Sequence, residues 1–258
     1  MTAKIVAIAN QKGGVGKTTS TLQFAHAAVE KGFRTLVIDM DGQGNASQKL
    51  ADTTQLIGDI QSFSHELFND DAEISITKSN TGIDVIPAQT NDHALYSMEA
   101  AELDKIIIPR NHIAKFREDY DLILIDCPPS LGRLLMSCLT MADYVITPVA
   151  VSGFAVSGVQ GLVDVMERIK ETVNPEIRLA GIFVNGYNSR SKEDKNSVAQ
   201  LHENVGDLLF NQVVSRRAPI DQAINRAIPV WKIRSGSASA AAKEIRSVAK
   251  EMFKRVGL

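Results

Sequence analysis

Cysteines are few in this chain, and it has neither a long apolar run nor a visible signal peptide. The 258 residues include two cysteines, Cys127 and Cys138, which do not have the spacing of metal ligands. So few cysteines favour structural thiols in a reduced, cytosolic compartment. No stretch approaches the roughly 18 apolar residues that a membrane helix requires. We therefore expect a cytoplasmic protein without a membrane-spanning segment.

A strong net charge is also missing. The formal net charge is −2, which by itself argues against a nucleic-acid binder. The average conceals an asymmetry, because residues 178–258 carry 14 Lys and Arg against 7 Asp and Glu, whereas residues 1–177 carry 14 against 23. A basic C-terminal third beside an acidic body indicates one face suited to a polyanion. Chance clustering of solvated surface charges is the alternative.

Length and periodicity predict one α/β domain spanning residues 1–258. The length suits a single large domain rather than two, and neither a repeat nor a linker divides the chain. Helical patterns alternate with continuous apolar runs, which are typical of strands that are covered on both faces. We expect a doubly wound, mostly parallel sheet with helices on both faces. The strands are predicted at residues 4–9, 35–39, 83–87, 122–126, 144–149 and 179–184, and the helices at residues 17–31, 100–117, 131–141 and 156–172.

Two segments stand apart from this alternation. Residues 50–82 are the least periodic and are expected to form a variable, partner-facing region. The last segment predicts an amphipathic helix, which could lie on a membrane or pack on its own domain. We favour packing, because Glu244 and Glu251 make the polar face less cationic than is typical of a helix that binds a membrane. The apolar stripe consists of Ile245, Val248, Ala249, Met252, Phe253 and Val256.

A glycine-rich stretch, QKGGVGKTT at residues 11–19, follows the first predicted strand and opens the first predicted helix. Its glycines let backbone N–H groups converge on anionic oxygens, and the positive end of the helix adds to this attraction. Lys17 can reach the β- and γ-phosphates, and the Thr18 hydroxyl is placed for Mg²⁺. The stretch therefore predicts a phosphate loop. Its nucleotide-binding residues are Gly13, Gly14, Val15, Gly16, Lys17, Thr18 and Thr19.

Three aspartates lie at or just beyond the ends of apolar runs that are predicted to be strands. Asp39 and Asp41 follow TLVI, and Asp126 follows LILI. Ligands of an open parallel sheet lie beyond the carboxyl ends of its strands, so these groups are expected beside the phosphate loop. One carboxylate can hold a Mg²⁺-bound water and another can orient the attacking water.

Together the stretches KGGVGKTT, DMDGQGN (39–45) and LILIDCPPS (122–130) resemble the ParA/MinD group of P-loop ATPases, over nearly the whole chain. The resemblance is strongest to ParA partition ATPases without an N-terminal DNA-binding extension. It implies Mg²⁺-dependent hydrolysis of ATP that is slow and stimulated by a partner. The chain differs at Gly42, where the family commonly has proline, and we expect this glycine to loosen the loop after Asp41.

The resemblance also assigns roles to individual residues. Lys12 would reach the nucleotide of a second subunit in an ATP-bound homodimer, and Lys17 would act in its own subunit. Asp41 would position the attacking water. Asp126 would be the metal-site aspartate together with Thr18, and Asp39 would lie near the metal. Asn185 in IFVNGY would contact the adenine.

The implied function is partition of plasmid or chromosomal DNA on the nucleoid, with a ParB-like centromere-binding partner. Positioning of a protein cargo and a MinD-like cycle on the membrane are alternatives, and an ATPase resembling the nitrogenase iron protein would need an iron–sulfur cluster held by cysteines. Basic residues without aromatic interleaving suit contact with phosphate backbones rather than bases. The candidates for DNA contact are Arg190, Arg216, Arg217, Lys243 and Arg246.

Overall fold

A computed structural model describes residues 2–50, 56–151 and 155–258. Within these ranges the chain alternates strands and helices, with short 3-10 turns between some of them. The strands are β1 Lys4–Ile8, β2 Thr35–Asp39, β3 Leu56–Ile57, β4 Lys78–Ser79, β5 Ile83–Ile86, β6 Leu122–Asp126, β7 Tyr144–Ala150, β8 Arg178–Tyr187 and β9 Val214–Ser215. The helices are α1 Lys17–Glu30, α2 Asn45–Leu50, α3 His93–Ser97, α4 Ile108–Ala114, α5 Arg133–Met141, α6 Ala155–Thr172, α7 Lys192–Val205, α8 Ala218–Asn225 and α9 Ala238–Val256.

Seven of the strands form one parallel sheet in the order β5-β2-β6-β1-β7-β8-β9, and β3 and β4 form a small antiparallel pair beside it. The strand order changes direction around β1, since the chain runs from β1 to one side of the sheet and later returns to the other. A crevice opens beyond the carboxyl ends of the strands at such a switch point. The glycine-rich stretch follows β1 directly and therefore lies in this crevice.

Helices cover both faces of the sheet, and alternate residues of β1 enter two different cores. Val6 and Ile8 pack with residues of α1 and α9, whereas Ile5 and Ala7 pack with residues of α5 and α6. All four side chains are almost fully buried. This double burial explains why the strands are continuous apolar runs, and it confirms the predicted fold class.

The predicted strands agree with the structure to within three residues at each end. The helix predicted at residues 100–117 is wrong in part. Residues Leu103–Ile107 form a 3-10 turn, and α4 begins at Ile108 with Pro109 in its first turn. Proline has no N–H for an intrahelical bond, so it is tolerated in a first turn and not in a helix interior. Of the weakly periodic region at 50–82, residues 51–55 lie outside the described residues.

Helix α9 packs its apolar stripe on its own domain, as predicted. Ile245, Val248, Met252 and Val256 are each at most 3% exposed and belong to the same core as α1. A membrane-binding role would require this stripe to leave the core. Among the described residues, no helix is both long enough and apolar enough to cross a membrane.

The two cysteines are also buried. Cys127 follows β6 and Cys138 lies in α5, and neither thiol is exposed to solvent. Burial raises the pKa of Cys138 well above its usual range, as does the neighbouring Cys127. An iron–sulfur cluster shared across a dimer needs thiolates at the surface. These two thiols therefore do not fit the iron-protein alternative.

Candidate nucleotide site

The loop between β1 and α1 has the backbone geometry of a phosphate loop. Gly14 and Gly16 have positive φ angles of 72° and 94°, which favour glycine. Gly16 is the N-cap of α1, and no side chain caps the helix. The first N–H groups of α1 therefore remain available to an anion, at the end of the helix where the peptide dipoles favour negative charge.

Asn185 at the end of β8 contacts this loop. Its side-chain amide donates a hydrogen bond to the carbonyl of Val15, at 2.8 Å. A Cβ atom on Gly16 would collide with the same amide, so the approach of Asn185 requires glycine. Asn185 thus helps to fix the loop, in addition to its predicted place beside the base.

Lys17 is buried against its own loop. Its ammonium donates to the carbonyl of Lys12 at 3.0 Å, and the residue is only 6% exposed. Burial lowers the pKa of Lys17, although the negative charge of Asp126 opposes this shift. An ammonium held by one neutral carbonyl lies ready to exchange that partner for a phosphate oxygen, which is the stronger acceptor.

Asp39 is saturated by partners from its own chain. Its carboxylate accepts hydrogen bonds from the Ser47 N–H at 2.8 Å, the Ser47 hydroxyl at 2.7 Å and the Asp41 N–H at 3.1 Å. Burial raises the pKa of Asp39 to about 6, against the effect of the Ser47 hydrogen bonds. These contacts tie the loop after β2 to α2. The predicted role of Asp39 near the metal stays a prediction.

Asp41 lies two residues beyond β2, at the mouth of the site. It is 7% exposed, and its carboxylate accepts the N–H of Gln43 at 3.0 Å. The Gly44 N–H donates to the Asp41 carbonyl at 2.8 Å, which closes a tight turn. The turn thus holds one oxygen of the Asp41 carboxylate.

Asp126 is a buried carboxylate, and one of its oxygens has no hydrogen-bond partner. It lies beside Asp39 in the register of β2 and β6, and it has no solvent exposure. One carboxylate oxygen accepts the Thr21 hydroxyl at 3.3 Å, and the other has no hydrogen-bond partner. Burial raises the pKa of Asp126 well above its usual range and Asp39 adds to the shift, while the neighbouring Thr18 hydroxyl opposes it.

The oxygen atoms around Asp126 suit Mg²⁺. This ion binds through one or two protein oxygens and keeps its other positions for phosphate oxygens and water. Among residues 2–50, 56–151 and 155–258, no three His, Cys, Asp or Glu side chains form a group that could hold a metal by themselves. The pair of Thr18 and Asp126, with the unpartnered carboxylate oxygen, therefore fits a magnesium ion that arrives with a nucleotide.

Three residues of the site were not predicted. Ser47 lies on α2, a short helix whose pattern is too brief to recognise. Thr21 follows Lys17 by one helical turn, and this spacing alone could have placed it on the same face. Asn10 precedes the loop, donates to the carbonyl of Pro148 at 2.8 Å and accepts the N–H of Lys12 at 2.9 Å.

A cleft of about 430 Å³ continues from the loop between β8 and α8. Sites for small molecules are usually roughly 300–1,000 Å³ in volume, so the cleft can hold the base and sugar of a nucleotide. Its walls include Asn185, Arg216 and Asp221 beside the glycines of the loop.

The five basic residues predicted to contact DNA have different surroundings. Arg217 forms an ion pair with Glu244 at 2.7 Å, and Arg246 pairs with Glu30 at 2.6 Å and lies over the ring of Trp231. The other three, Arg190, Arg216 and Lys243, are exposed. Arg190 and Arg216 line a second cleft, and Arg216 also lies in the wall of the nucleotide cleft.

The parallel sheet, the glycine loop and the buried carboxylates define a P-loop nucleoside triphosphatase. Residues 3–179 match the model of a family described as the AAA domain. The chain belongs to this family, and the resemblance to ParA/MinD ATPases is confirmed.

Named relatives support the same assignment. The chromosome-partitioning ATPase Soj of Treponema pallidum is 30% identical, over 98% of each chain. The sporulation initiation inhibitor protein Soj of Bacillus subtilis is 29% identical, over 88% of this chain and 90% of the relative. A structure of cobyrinic acid a,c-diamide synthase from Mycobacterium smegmatis with bound ATP analogue and magnesium is similar with a TM-score of 0.80. It is 25% identical and covers 98% of this chain and 94% of its own.

Proposed function

We propose that this protein is an ATPase that dimerises when it binds ATP, binds DNA without sequence preference and partitions plasmid or chromosomal DNA with a ParB-like partner. The observation that carries the ATPase part of the proposal is the arrangement of three neighbouring strands. Lys17 begins α1 after the loop that follows β1, Asp126 closes β6 beside β1, and Asp41 follows β2 beside β6. The chromosome-partitioning ATPase Soj among its relatives supports the biological role.

The site residues have different roles in hydrolysis. The N–H groups of the loop and Lys17 hold the phosphates, and Thr18 and Asp126 would hold Mg²⁺. A bound Mg²⁺ ion would neutralise charge on the β- and γ-phosphate oxygens. Asp41 accepts a hydrogen bond from the attacking water and orients it towards the γ-phosphorus. Asp39 and Asn185 keep the two sides of the site in place.

Lys12 makes dimerisation depend on ATP. Two nucleotide-bound subunits repel each other through their phosphates, and a lysine that crosses the interface replaces this repulsion with a charge-assisted hydrogen bond. Release of the γ-phosphate after hydrolysis removes the attraction, and the dimer loosens. The time that ATP remains unhydrolysed therefore sets how long the dimer persists.

Lys12→Ala is expected to abolish ATP-dependent dimerisation while ATP still binds. The backbone carbonyl that holds Lys17 survives the substitution, so this support of the phosphate loop is kept. Light scattering with ATP and with ADP measures the dimer, and a fluorescent ATP analogue measures binding. Lys115→Ala removes an exposed lysine after α4 and serves as the control. A Lys12→Ala protein that dimerises normally with ATP would show that the lysine does not act across the interface.

DNA binding by the ATP-bound dimer is expected to depend on the exposed pair Arg190 and Arg216. Replacing both by alanine should weaken binding to any sequence roughly tenfold, and should reduce the slope of log affinity against log salt by about one per lost phosphate contact. Arg178 supplies a matched control, because it is an exposed arginine at the start of β8, whereas Arg190 follows the other end of that strand. Co-sedimentation or polarisation assays between low and moderate salt make the measurement.

The same assay separates the proposal from its alternatives. Affinity for DNA that does not change between low and moderate salt would contradict phosphate contact. Pelleting with anionic liposomes in ATP, without pelleting with DNA, would support the MinD-like cycle. ATPase activity that rises with DNA and the partner protein together would support partition.

A further inference from the structure

A short segment after β5 touches both loops that carry the catalytic and metal-site carboxylates. This bridging segment, residues 92–99, contains α3 and the start of the 3-10 turn Met98–Ala100. The sequence predicted no site residue in this segment, and the nucleotide site described above includes none of its residues. Its side chains reach the loop after β2 on one side and the loop after β6 on the other.

Tyr96 covers the loop that follows Asp41. Its hydroxyl accepts the side-chain amide of Gln43 at 2.6 Å, and the N–H of Gln43 donates to the Asp41 carboxylate. The ring lies directly on Gly42, where an added Cβ would come within 2.6 Å of a ring carbon. The φ angle of Gly42 is not in the left-handed region, so the backbone would accept another residue there. A side chain at position 42 would instead enter the space that the Tyr96 ring fills.

Asp92 holds the same loop by its backbone. The N–H of Asp92 donates to the carbonyl of Gly42 at 2.8 Å. Its carboxylate, which is 1% exposed, accepts the N–H of Leu95 and contacts the His65 ring, each at 2.8 Å. Burial alone would raise the pKa of Asp92, but the hydrogen bonds from Leu95 and His65 hold it below its usual range. The start of the bridging segment is thus fixed to the Asp41 loop.

Glu99 holds the loop that follows Asp126. Its carboxylate accepts the hydroxyl of Ser130 at 3.0 Å and the N–H of Arg133, the first residue of α5, at 2.6 Å. A Cβ on Gly132 would collide with this carboxylate, so the approach is close. A carboxylate at a helix N-terminus is favoured by the helix dipole.

We propose that the bridging segment couples the two loops, with Tyr96 and Glu99 as its positioning residues. Tyr96 and Glu99 lie three positions apart, on α3 and on the 3-10 turn that continues it. A shift of the loop at one end of the segment would therefore be transmitted to the contact at the other end. The Asp41 loop and the Asp126 loop then adopt the hydrolytic arrangement together. This inference rests on the proposed ATPase function. It adds that a segment outside the nucleotide site sets the rate of hydrolysis.

Tyr96→Phe tests the contact to the Asp41 loop. The substitution keeps the ring over Gly42 and removes only the acceptor of the Gln43 hydrogen bond. We expect kcat for ATP hydrolysis to fall about threefold to tenfold while KM for ATP changes less than about twofold, since binding does not use this contact. Gln43→Ala removes the same hydrogen bond from its other, exposed end and should give the same loss. The double variant should lose no more than either single variant.

Glu99→Gln tests the contact to the Asp126 loop. Gln keeps the size of the side chain but loses the charge at the start of α5. We expect a similar fall in kcat, and a Tyr96→Phe/Glu99→Gln double variant whose fall is smaller than the product of the two single losses. Glu102→Gln changes an exposed glutamate three positions further on and serves as the control. Thermal unfolding and analogue binding are measured for every variant.

The outcomes separate the coupling from the proposed function. Wild-type kcat in both Tyr96→Phe and Glu99→Gln, with hydrolysis lost in Asp41→Ala, would overturn the coupling and leave the ATPase proposal standing. Losses that multiply in the double variant would show two independent contacts and would also overturn it. Equal losses of kcat and of nucleotide affinity, with a lower Tm, would reduce the segment to a structural support. Full hydrolysis by Asp41→Ala would contradict the proposed function itself.

Discussion

Replacing Asp41 by alanine is expected to reduce kcat for ATP hydrolysis roughly 100-fold or more, because positioned acid–base groups typically contribute 10²–10⁴ in rate. Affinity for ATP should change less than about threefold, since the phosphates are held by the loop and by Lys17. The variant should therefore accumulate the ATP-bound state. Phosphate release measures hydrolysis, and equilibrium binding of ATP measures affinity.

Asp41→Asn is the matched variant for this prediction. An asparagine can still accept the N–H of Gln43, which the Asp41 carboxylate accepts at 3.0 Å, so the turn is preserved while the negative charge is removed. If charge and proton acceptance matter, the two variants lose activity to a similar degree. If Asp41 only shapes the turn, Asn restores hydrolysis. An alanine variant that hydrolyses ATP at the unmutated rate would remove Asp41 from catalysis.

Gly16→Ala is expected to have the second large effect, on stability and on nucleotide binding together. A non-glycine residue at a φ angle of 94° costs about 1–2 kcal/mol in free energy of unfolding. The added Cβ also collides with the amide of Asn185, which must leave the carbonyl of Val15. We expect the affinity for ATP to fall at least roughly tenfold, which corresponds to about 1.4 kcal/mol.

Gly32→Ala separates strain from collision. Gly32 has a φ angle of 84° and no neighbouring atom within 4 Å of an added Cβ, and it lies beyond the far end of α1. This variant should lose stability through backbone strain alone and keep its affinity for ATP. Chemical unfolding and ATP titration of both variants make the comparison. Equal affinities in Gly16→Ala and the wild type would show that the contact with Asn185 does not shape the loop.

Local patterns in the sequence were enough to predict six of the seven strands of the sheet and the phosphate loop, whereas β9 was not predicted. The strands are short apolar runs buried on both faces, and the strand, the glycines and Lys17 are contiguous. The carboxylates at the ends of β2 and β6 were also predictable, because parallel strands bring their carboxyl ends to one edge. In each case the positions of the residues along the chain are enough to predict which of them lie close together in the fold.

Contacts between distant segments could not be predicted in the same way. The departure at Gly42 was visible, but the ring of Tyr96 that packs on this glycine lies 54 positions further along the chain. The ion pair between Arg217 and Glu244 was equally hidden, so that arginine looked the same as the exposed Arg216. Short elements such as α2 have too few residues for a periodic pattern. Tertiary packing decides these features, and a single sequence does not display it.

The central position of β1 has a consequence for the order of synthesis. The first strand made is completed on both sides only by β6 and β7, and Asn185 touches the phosphate loop from 170 positions later. At synthesis rates of about 5–20 residues per second, this interval lasts on the order of ten to thirty seconds. A nascent chain therefore carries its complete phosphate-loop sequence on the ribosome well before that loop can close on a nucleotide.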